Sequence, residues 1–305
     1  LYASEIRDLL QRAAMEILFI SHKYPPATGG MEKQSFELIN HMSSLAKVHS
    51  IVYEGKGSRL KFFMQLGGKI RKVLRENPGI SIIHYNDGLV GAFSMFSKRP
   101  GEVKRTVTLH GLDVAFPSFV YQNLIFPKFN AFDLVIAVSK ATAAACITRG
   151  LAAEKIVVIN NGVDTVMKPY TTRLSVETML SQKYHADVRG KRILVAMGRA
   201  VKRKGFSWFG EKVVPLIHKD FTLLIIGPIQ KKTAGTVLLS QFLPPFISSR
   251  IQLFLGAASD ERSLRKLIRR PENEHKIHRL GKLPQEDVDS ILGVAGAFVM
   301  PNIGI

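Results

Sequence analysis

Short β-rich runs alternate with longer helix-compatible stretches along this chain, and this alternation restricts the possible folds more than any other feature. In the first half the β-rich runs are 16–21, 47–53, 80–84, 104–109, 133–138 and 155–159. The helices between them are predicted at 31–46, 59–76, 88–97, 118–131 and 139–150. Strands separated by helices of about 10–15 residues predict parallel βαβ units.

The alternation stops at a loop, 160–170, which contains the turn formers Asn161-Gly162 and Pro169, and then restarts. The second series has strands near 192–198, 221–227, 250–254, 275–280 and 296–300, and helices near 204–219, 233–243, 260–270 and 285–295. Two such series predict an α/β protein with two Rossmann-like domains that face each other across a cleft, 15–165 and 166–305. Residues 1–14 precede Met15 and lack the apolar segment of a secretory signal, so we expect a leader that is non-native or disordered.

The formal net charge is +19 over 305 residues, and both halves of the chain contribute to the basic excess. Such a charge favours nucleic acid, anionic membrane surfaces or phosphorylated ligands as partners. Cys146 is the single cysteine, which excludes an intrachain disulfide and fits a reducing compartment. No apolar run approaches the roughly 20 residues that span a bilayer.

The segment 197–206, MGRAVKRKGF, places a basic loop directly after a predicted buried strand. Its cations are Arg199, Lys202, Arg203 and Lys204. Open α/β sheets bind ligands at the carboxyl ends of their strands, so this loop indicates an anionic ligand. A solvated basic turn is the alternative.

Paired glycines, Gly29 and Gly30, join the first strand to the first helix. They would let the backbone approach a ligand closely while the helix presents its N–H groups to an anion. A plain flexible turn is the alternative. The loop lacks the G-x-G-x-x-G fingerprint, which counts against NAD.

The segment 108–113, TLHGLD, puts His110 at the tip of the fourth strand, with Asp113 close behind. A neutral imidazole there can hydrogen-bond a substrate hydroxyl or exchange a proton near pH 7, although a structural histidine is the alternative. Ser139 is predicted first as the N-cap of helix 139–150. For the segment from Asn161 to Asp164, hinge and ligand roles both stay open.

Two patterns that suggest a metal are given a structural interpretation. Asp287 and Asp289 form a D-x-D inside a predicted helix, where i and i+2 point to different faces, so we expect a solvated face. His275 and His278 lack nearby cysteines and zinc-motif spacing and are predicted to be strand-edge residues. No metal and no cofactor is predicted.

Together these residues resemble the retaining glycosyltransferases of family 4, which have the GT-B fold. The match runs in order from about Met15 to the end of the chain. It depends on Gly29-Gly30, His110-Gly111, Ser139, the segment from Asn161 to Asp164, Gly198-Arg199, Lys204-Gly205 and Gly281-Lys282-Leu283.

The resemblance implies a role for each matched position. Arg199 and Lys204 would hold the diphosphate of a nucleoside-diphosphate sugar, and Gly29 and Gly30 would approach the donor phosphate and sugar. His110 would contact the transferred sugar. Gly281, Lys282 and Leu283 would line the nucleoside base, while Asp113, Ser139, Asn161 and Asp164 are further cleft residues that it suggests.

The resemblance also implies a reaction and its limits. A hexose would pass with retention to an acceptor hydroxyl in glycolipid, polysaccharide or cell-envelope glycan synthesis. The family continues with a glutamate–Gly-Phe-Gly–glutamate segment that is not reached by residue 305, so we expect a truncated second domain and no activity from this chain alone. A GT-B sugar-nucleotide epimerase and a basic nucleic-acid-binding protein are the rival functions; the second predicts aromatics among the cations, and segment 198–205 has none.

The helix predicted at 59–76 suggests a location. Leu60, Phe63, Leu66, Ile70 and Leu74 form an apolar stripe, and Lys61, Lys69 and Lys72 lie among the cations around it. Phe62, Phe63 and Met64 make an apolar run that one buried face is not expected to cover, which is typical of an interfacial helix on anionic lipid. Ordinary packing on the sheet is the alternative. We therefore expect a cytoplasmic protein, peripheral on the inner face of the membrane, with a glycan or lipid-linked acceptor.

Overall fold

A computed structural model describes residues 15–95, 101–116, 118–163, 172–229 and 259–303. The chain divides into two compact units, Leu1–Asp164 and Thr165–Ile305. Each unit is built around its own parallel sheet.

The N-terminal unit contains a six-stranded sheet in the order β2-β1-β3-β4-β5-β6, with every pair parallel. The strands are β1 Glu16–Ser21, β2 Lys47–Val52, β3 Ile80–Tyr85, β4 Lys104–Leu109, β5 Leu134–Ala137 and β6 Ile156–Val158. The chain moves to one side of β1 to form β2 and to the other side to form β3. This change of direction opens a crevice at the carboxyl ends of β1 and β3.

Within the described part of this unit, four α-helices accompany the sheet: α1 Gly30–Met42, α2 Arg59–Glu76, α3 Gly88–Ser94 and α4 Lys140–Thr148. Side chains of Ser58, Asp87 and Ser139 cap α2, α3 and α4, because each accepts a hydrogen bond from an amide of the first turn. The regular helix predicted at 118–131 is wrong. A short π-helix, Tyr121–Ile125, and a 3-10 helix, Phe126–Ala131, take its place, since Pro127 cannot donate an α-helical hydrogen bond.

Helix α2 buries a wider face than its sequence predicts. Phe62 and Phe63 are only 5% and 9% exposed, so packing on the sheet buries both phenylalanines of the run 62–64; the expectation that one buried face does not cover the whole run holds at Met64, which is 77% exposed. Phe62 packs against Tyr53 at a ring distance of 5.6 Å, and Phe63 stacks on Phe93 of α3 at 4.5 Å. Leu60 and Met64 remain exposed.

The C-terminal unit contains a four-stranded parallel sheet in the order β10-β7-β8-β9 among the described residues. The strands are β7 Arg192–Met197, β8 Phe221–Ile226, β9 Ile277–Gly281 and β10 Ala297–Phe298; the helices are α5 Arg173–Tyr184, α6 Phe206–Lys212, α7 Glu261–Ile268 and α8 Gln285–Val294. Apolar clusters cover both faces of this sheet. The helix predicted at 233–243 and the strand predicted at 250–254 lie outside the described residues.

Helix α5 was not predicted, and it changes the environment of Asp287. Thr172 caps α5, and Val176 and Leu180 bury its inner face. Asp287 of α8 is 8% exposed, accepts a hydrogen bond from Lys183 Nζ at 2.6 Å and another from the Tyr184 hydroxyl. The solvated face expected for Asp287 is therefore wrong, because α5 covers it.

The predicted α/β class with Rossmann-like parallel sheets is confirmed in each unit, with the second sheet described in part. Within the described ranges, no helix combines the length and the apolar character needed to cross a bilayer.

Candidate functional site

Polar side chains collect where β1, β3 and β4 end, at the crevice created by the strand order. This switch-point cluster consists of Ser21, His22, Asn86, Asp87 and His110. All but His110 are buried, at 6% exposure or less. Buried polar groups are costly unless they are hydrogen-bonded, so the contacts within the cluster determine its geometry.

His22 and Asp87 form a buried pair, with 2.9 Å between Nδ1 and Oδ2. The other carboxylate oxygen of Asp87 accepts from the amides of Leu89 and Val90 and so caps α3. Burial by itself raises the pKa of Asp87. The hydrogen bond from His22, the charge of His22 and the hydrogen bond from the Val90 amide outweigh it, so the pKa of Asp87 lies below the usual value. Asp87 is thus a carboxylate that orients the His22 ring.

His110 is held by both its ring and its backbone. Nε2 lies 2.9 Å from the carbonyl oxygen of Asn86, so this nitrogen carries the proton. The backbone amides of His110 and Gly88 both donate to Asp113 Oδ2 at 3.1 Å. In the neutral ring Nδ1 is then an acceptor, and it has no hydrogen-bond partner within the described ranges.

Asp113 lies close to a second carboxylate. Burial and the charge of Asp87 raise the pKa of Asp113, while the two amides oppose that rise. Asp113 packs so closely on Gly88 that a side chain at Gly88 would overlap its Cβ. Asp113 is therefore placed to position His110 through its backbone amide.

Asn86 ties the cluster to helix α1. Its Nδ2 donates to Gln34 Oε1 at 2.9 Å and to Ser35 Oγ at 2.6 Å, and Ser35 in turn bonds Ser21 at 3.0 Å. Asn86 Oδ1 is buried without a hydrogen-bond partner among the described residues. A buried acceptor left unpaired in this way is unusual and is available to a donor.

The paired glycines lie at the amino end of α1, where a carboxylate already sits. The Glu32 carboxylate covers Gly29 so closely that a Cβ there would overlap it, and Lys23 Nζ is 3.7 Å from the same carboxylate. Gly30 has open space around it. An anion that approached Gly29 would have to displace the flexible side chain of Glu32.

Two further predicted residues of this unit, Ser139 and Asn161, lie outside the cluster's hydrogen bonds. Ser139 is the N-cap of α4, as predicted, and accepts from the Thr142 amide at 3.0 Å. Asn161 is exposed after β6. Asp164 is outside the described residues.

In the C-terminal unit the basic loop, 198–205, follows β7 and places four cations together. Arg199 and Lys202 are exposed, whereas Arg203 and Lys204 are partly buried. None of the four forms an ion pair with a carboxylate in the described part of the chain. Burial, then Arg203 and Arg199, lower the pKa of Lys204, and burial and Arg199 lower that of Arg203.

Backbone rather than side chains forms the edge of the sheet beside this loop. The glycine edge consists of Gly198, Gly227 and Gly281, which lie at the ends of β7, β8 and β9. The amide of Gly198 donates to the carbonyl oxygen of Ile226 at 2.8 Å, and the amide of Gly227 donates to that of Gly281 at 2.7 Å. A Cβ on Gly227, whose φ is 147°, would overlap the Gly198 carbonyl. Lys204 extends across Gly198, about 3.4 Å from where a Cβ would stand. Cations over a bare backbone edge form a surface that suits an anion.

The segment predicted to line a nucleoside base is divided between surface and core. Gly281 ends β9 with a φ of 79°, and Lys282 is exposed. Leu283 is 8% exposed and packs with Val288 in the core. Gly281 and Lys282 thus lie at the carboxyl edge, and Leu283 anchors the turn beneath them.

No group of three or more metal-ligating side chains is arranged to hold a metal ion within the described ranges. His278 lies on β9, the last strand of the described sheet, and His275 precedes that strand.

Sequence reasoning missed His22, Asn86, Asp87 and Ser21. The segment Asn86-Asp87-Gly88 follows β3 in the way that His110-Gly111 follows β4, so the same strand-tip rule would have found it. His22 follows β1 directly and carried the same signal.

The fold is similar to that of solved glycosyltransferases. Anabaena Alr3699/HepE, solved with UDP, is 20% identical, with a TM-score of 0.64 over 95% of this chain and 75% of that one. Sucrose-phosphate synthase from Thermosynechococcus elongatus is 16% identical, with a TM-score of 0.66 over 94% and 75%. The lipopolysaccharide outer core galactosyltransferase WaaB is 15% identical, with a TM-score of 0.52 over 94% and 74%. At these identities the likeness shows the fold.

Residues 2–166 match the model of Glycosyltransferase Family 4, and the chain belongs to this family. The resemblance proposed from the motifs is therefore confirmed at the level of the family. A comparison with curated protein sequences found no match.

Proposed function

We propose that the protein transfers a sugar from a nucleoside-diphosphate sugar to an acceptor hydroxyl, with retention at the anomeric carbon. The observation that carries the proposal is the basic loop, whose cations have no carboxylate partner in the described part of the chain and lie beside the glycine edge. HepE structures containing UDP and UDP-glucose support a nucleotide-sugar donor for this chain.

In this proposal Arg199 and Lys204 bind the donor diphosphate. Both would make charge-assisted hydrogen bonds that strengthen as negative charge accumulates on the departing diphosphate. Burial, and then the charges of Arg203 and Arg199, lower the pKa of Lys204, and the negative charge of a bound diphosphate would oppose this lowering. Gly281 and Lys282 would border the nucleoside, and the cations would serve in place of a metal.

The switch-point cluster would act on the sugar side. His110 would accept a hydrogen bond from a sugar hydroxyl at Nδ1, since Nε2 is committed to the Asn86 carbonyl. Asp113 would keep His110 in place. Gly29 and Gly30 would approach the donor once Glu32 moves aside, while Ser139, Asn161 and Asp164 are further proposed contacts. Retention would follow from front-face attack, with the departing diphosphate taking the acceptor proton.

We further propose a glycan or lipid-linked acceptor, used in glycolipid, polysaccharide or cell-envelope synthesis on the inner face of a membrane. Leu60 and Met64 project from α2 at 65% and 77% exposure. Lys61, Lys69 and Lys72 lie on the same helix, whose single acidic residue is Glu76. Apolar side chains among cations support peripheral binding to anionic lipid.

Product analysis separates this function from its rivals. The chain is titrated with UDP, GDP and ADP, and a version extended by the family's glutamate–Gly-Phe-Gly–glutamate segment is then incubated with the corresponding labelled sugar nucleotides and an acceptor mixture. We expect selective binding of one nucleotide and release of that nucleotide with a new glycoside. An isomerised sugar nucleotide would instead indicate an epimerase, and salt-dependent binding of random oligonucleotides with no nucleotide binding would indicate a nucleic-acid-binding protein.

A further inference from the structure

A second cationic site lies in the N-terminal unit, at the end of β2. A cavity of about 340 Å³ opens between the loop after β2 and the first half of α2. Tyr53 and Phe62 supply its aromatic wall, and Lys56, Lys61 and Lys69 supply its charge. We call this cavity the lysine pocket. Its volume lies in the range of about 300–1,000 Å³ that is typical of small-ligand sites.

The charge of the lysine pocket is unbalanced. Glu54 is the one carboxylate in its lining, and Glu54 lies 3.5 Å from Lys56. Lys61 and Lys69 have no carboxylate partner among the residues that the structure describes. Lys69 Nζ instead lies 5.2 Å from the centre of the Phe62 ring, a cation–π contact. Two lysines are therefore free to bind an anion that enters the cavity.

The local backbone also favours an anion. The loop has the sequence Gly55-Lys56-Gly57-Ser58, and the Tyr53 hydroxyl holds it by donating to Gly57 O at 2.8 Å. Ser58 then caps α2, whose first turn contains no acidic residue. The positive end of an 18-residue helix thus lies at the same cavity as the lysines.

The lysine pocket lies beside the switch-point cluster without being part of it. Strand β2 pairs with β1, so both end at the same edge of the sheet. The rings of His22 and Phe63 are 5.4 Å apart, while the neighbouring Phe62 lines the cavity. A ligand whose phosphate occupied the pocket could direct its other end toward the cluster.

We propose that the lysine pocket binds the phosphate monoester of a phosphorylated acceptor, either a soluble sugar phosphate or the headgroup of a lipid. Lysine ammonium groups bind phosphate as point charges, and Tyr53 and Phe62 give the cavity an apolar side. That the ligand is an acceptor depends on the proposed function, whereas the binding of its phosphate to the lysine pocket does not. The diphosphate of the donor is assigned to the C-terminal unit, so this pocket serves a different anion.

Calorimetric titration of the full chain with glucose 6-phosphate, inorganic phosphate and glucose tests the proposal. We expect the two phosphates to bind and glucose to fail at the same concentration. The variant Lys61→Ala/Lys69→Ala should weaken glucose 6-phosphate binding by roughly tenfold or more, and Lys61→Arg/Lys69→Arg should retain it. The affinity of the Lys61→Ala/Lys69→Ala variant for UDP should stay unchanged within about twofold, because Arg199 and Lys204 are untouched.

Arg71→Ala/Lys72→Ala is the matched control, because it removes two cations from the same helix outside the pocket. Equal weakening by both pairs, or no phosphate binding with UDP binding intact, overturns the pocket and leaves the proposed function standing. Phosphate binding without any nucleotide binding overturns the proposed function alone. A second experiment compares binding to vesicles that contain phosphatidic acid, a phosphate monoester, with binding to vesicles that contain phosphatidylglycerol, a diester. Preference for phosphatidic acid would identify the ligand as a lipid headgroup. Binding of glucose 6-phosphate alone would identify it as a soluble acceptor.

Discussion

At the scale of single residues, the basic loop contains both the proposed diphosphate ligands, Arg199 and Lys204, and a cation with no proposed ligand role, Lys202. Lys204 is partly buried across Gly198, whereas Lys202 is exposed. We expect Arg199→Ala and Lys204→Ala each to weaken nucleoside-diphosphate binding by roughly 1.5–3 kcal/mol, the value of a charge-assisted hydrogen bond. Lys202→Ala is the matched control and should change the affinity little. Equal losses for all three, measured by calorimetry, would mean a diffuse basic patch.

His110 should affect turnover more than nucleotide affinity. Its ring is held by the carbonyl oxygen of Asn86, and its proposed contact is to the sugar and not to the diphosphate. We expect His110→Ala to lower kcat while the dissociation constant for the nucleoside diphosphate stays close to that of the wild type. Thermal unfolding of the variant is the control. Normal turnover combined with a lowered Tm would show that His110 is structural.

His84 makes stability depend on pH. It is fully buried between Thr106 and Thr108, and burial lowers its pKa from 6.5 to about 4. Below pH 6.5 His84 is therefore protonated in the unfolded chain, whereas in the folded chain it stays neutral down to about pH 4. The contribution of neutral His84 to the free energy of unfolding is fully present above pH 6.5. It should fall by about 3 kcal/mol as the pH drops from 6.5 to about 4. Urea unfolding at pH 7.5 and pH 5 measures the fall, which should shrink in His84→Gln; an unchanged fall would contradict it.

At the scale of elements, Asp287 joins α8 to α5. Its carboxylate accepts from Lys183 and Tyr184, and these bonds lower its pKa despite the opposing effect of burial. We expect Asp287→Ala to lower the free energy of unfolding by roughly 1–3 kcal/mol, because two donors lose their acceptor. Glu286→Ala, one residue earlier on the same helix and exposed, should cost less than about 0.5 kcal/mol. Comparable losses in denaturant titrations would show that α5 does not depend on this contact.

The elements also show what a sequence can and cannot predict. Helix α2 begins and ends where its pattern predicts, at 59 and 76, because its apolar positions recur at helical spacing and Ser58 caps it. Helix α5 escaped prediction because its polar and apolar residues give a weak periodicity, and packing of Val176 and Leu180 stabilises it. Chain position could predict His110 at the tip of a strand. It could not predict the His22–Asp87 pair, because those residues are 65 positions apart and meet only once β1 and β3 are neighbours.

At the scale of the whole molecule, the charge of +19 bears on where the protein resides. We expect it to sediment with vesicles containing anionic lipid at low salt and to be released at high salt, since each cation near the surface contributes about 1 kcal/mol. Leu60→Ser/Met64→Ser should reduce the bound fraction, because these side chains are the exposed apolar ones on α2. Leu45→Ser/Leu124→Ser changes two other leucines, each 61% exposed, and is the matched control. Similar sedimentation of every variant with neutral and anionic vesicles would favour a soluble acceptor.

The glycine edge also bears on how the chain tolerates genetic change. Gly227 adds no side chain to a core, yet any amino-acid substitution there introduces a Cβ where the Gly198 carbonyl already lies. Leu224, three residues earlier in β8, is fully buried but can be exchanged for another aliphatic residue at a cost usually under about 1.5 kcal/mol. In a pool of random mutants selected for folding, survivors should therefore vary Leu224 and keep Gly227. Over generations the buried core of this unit would drift faster than the bare ends of its strands.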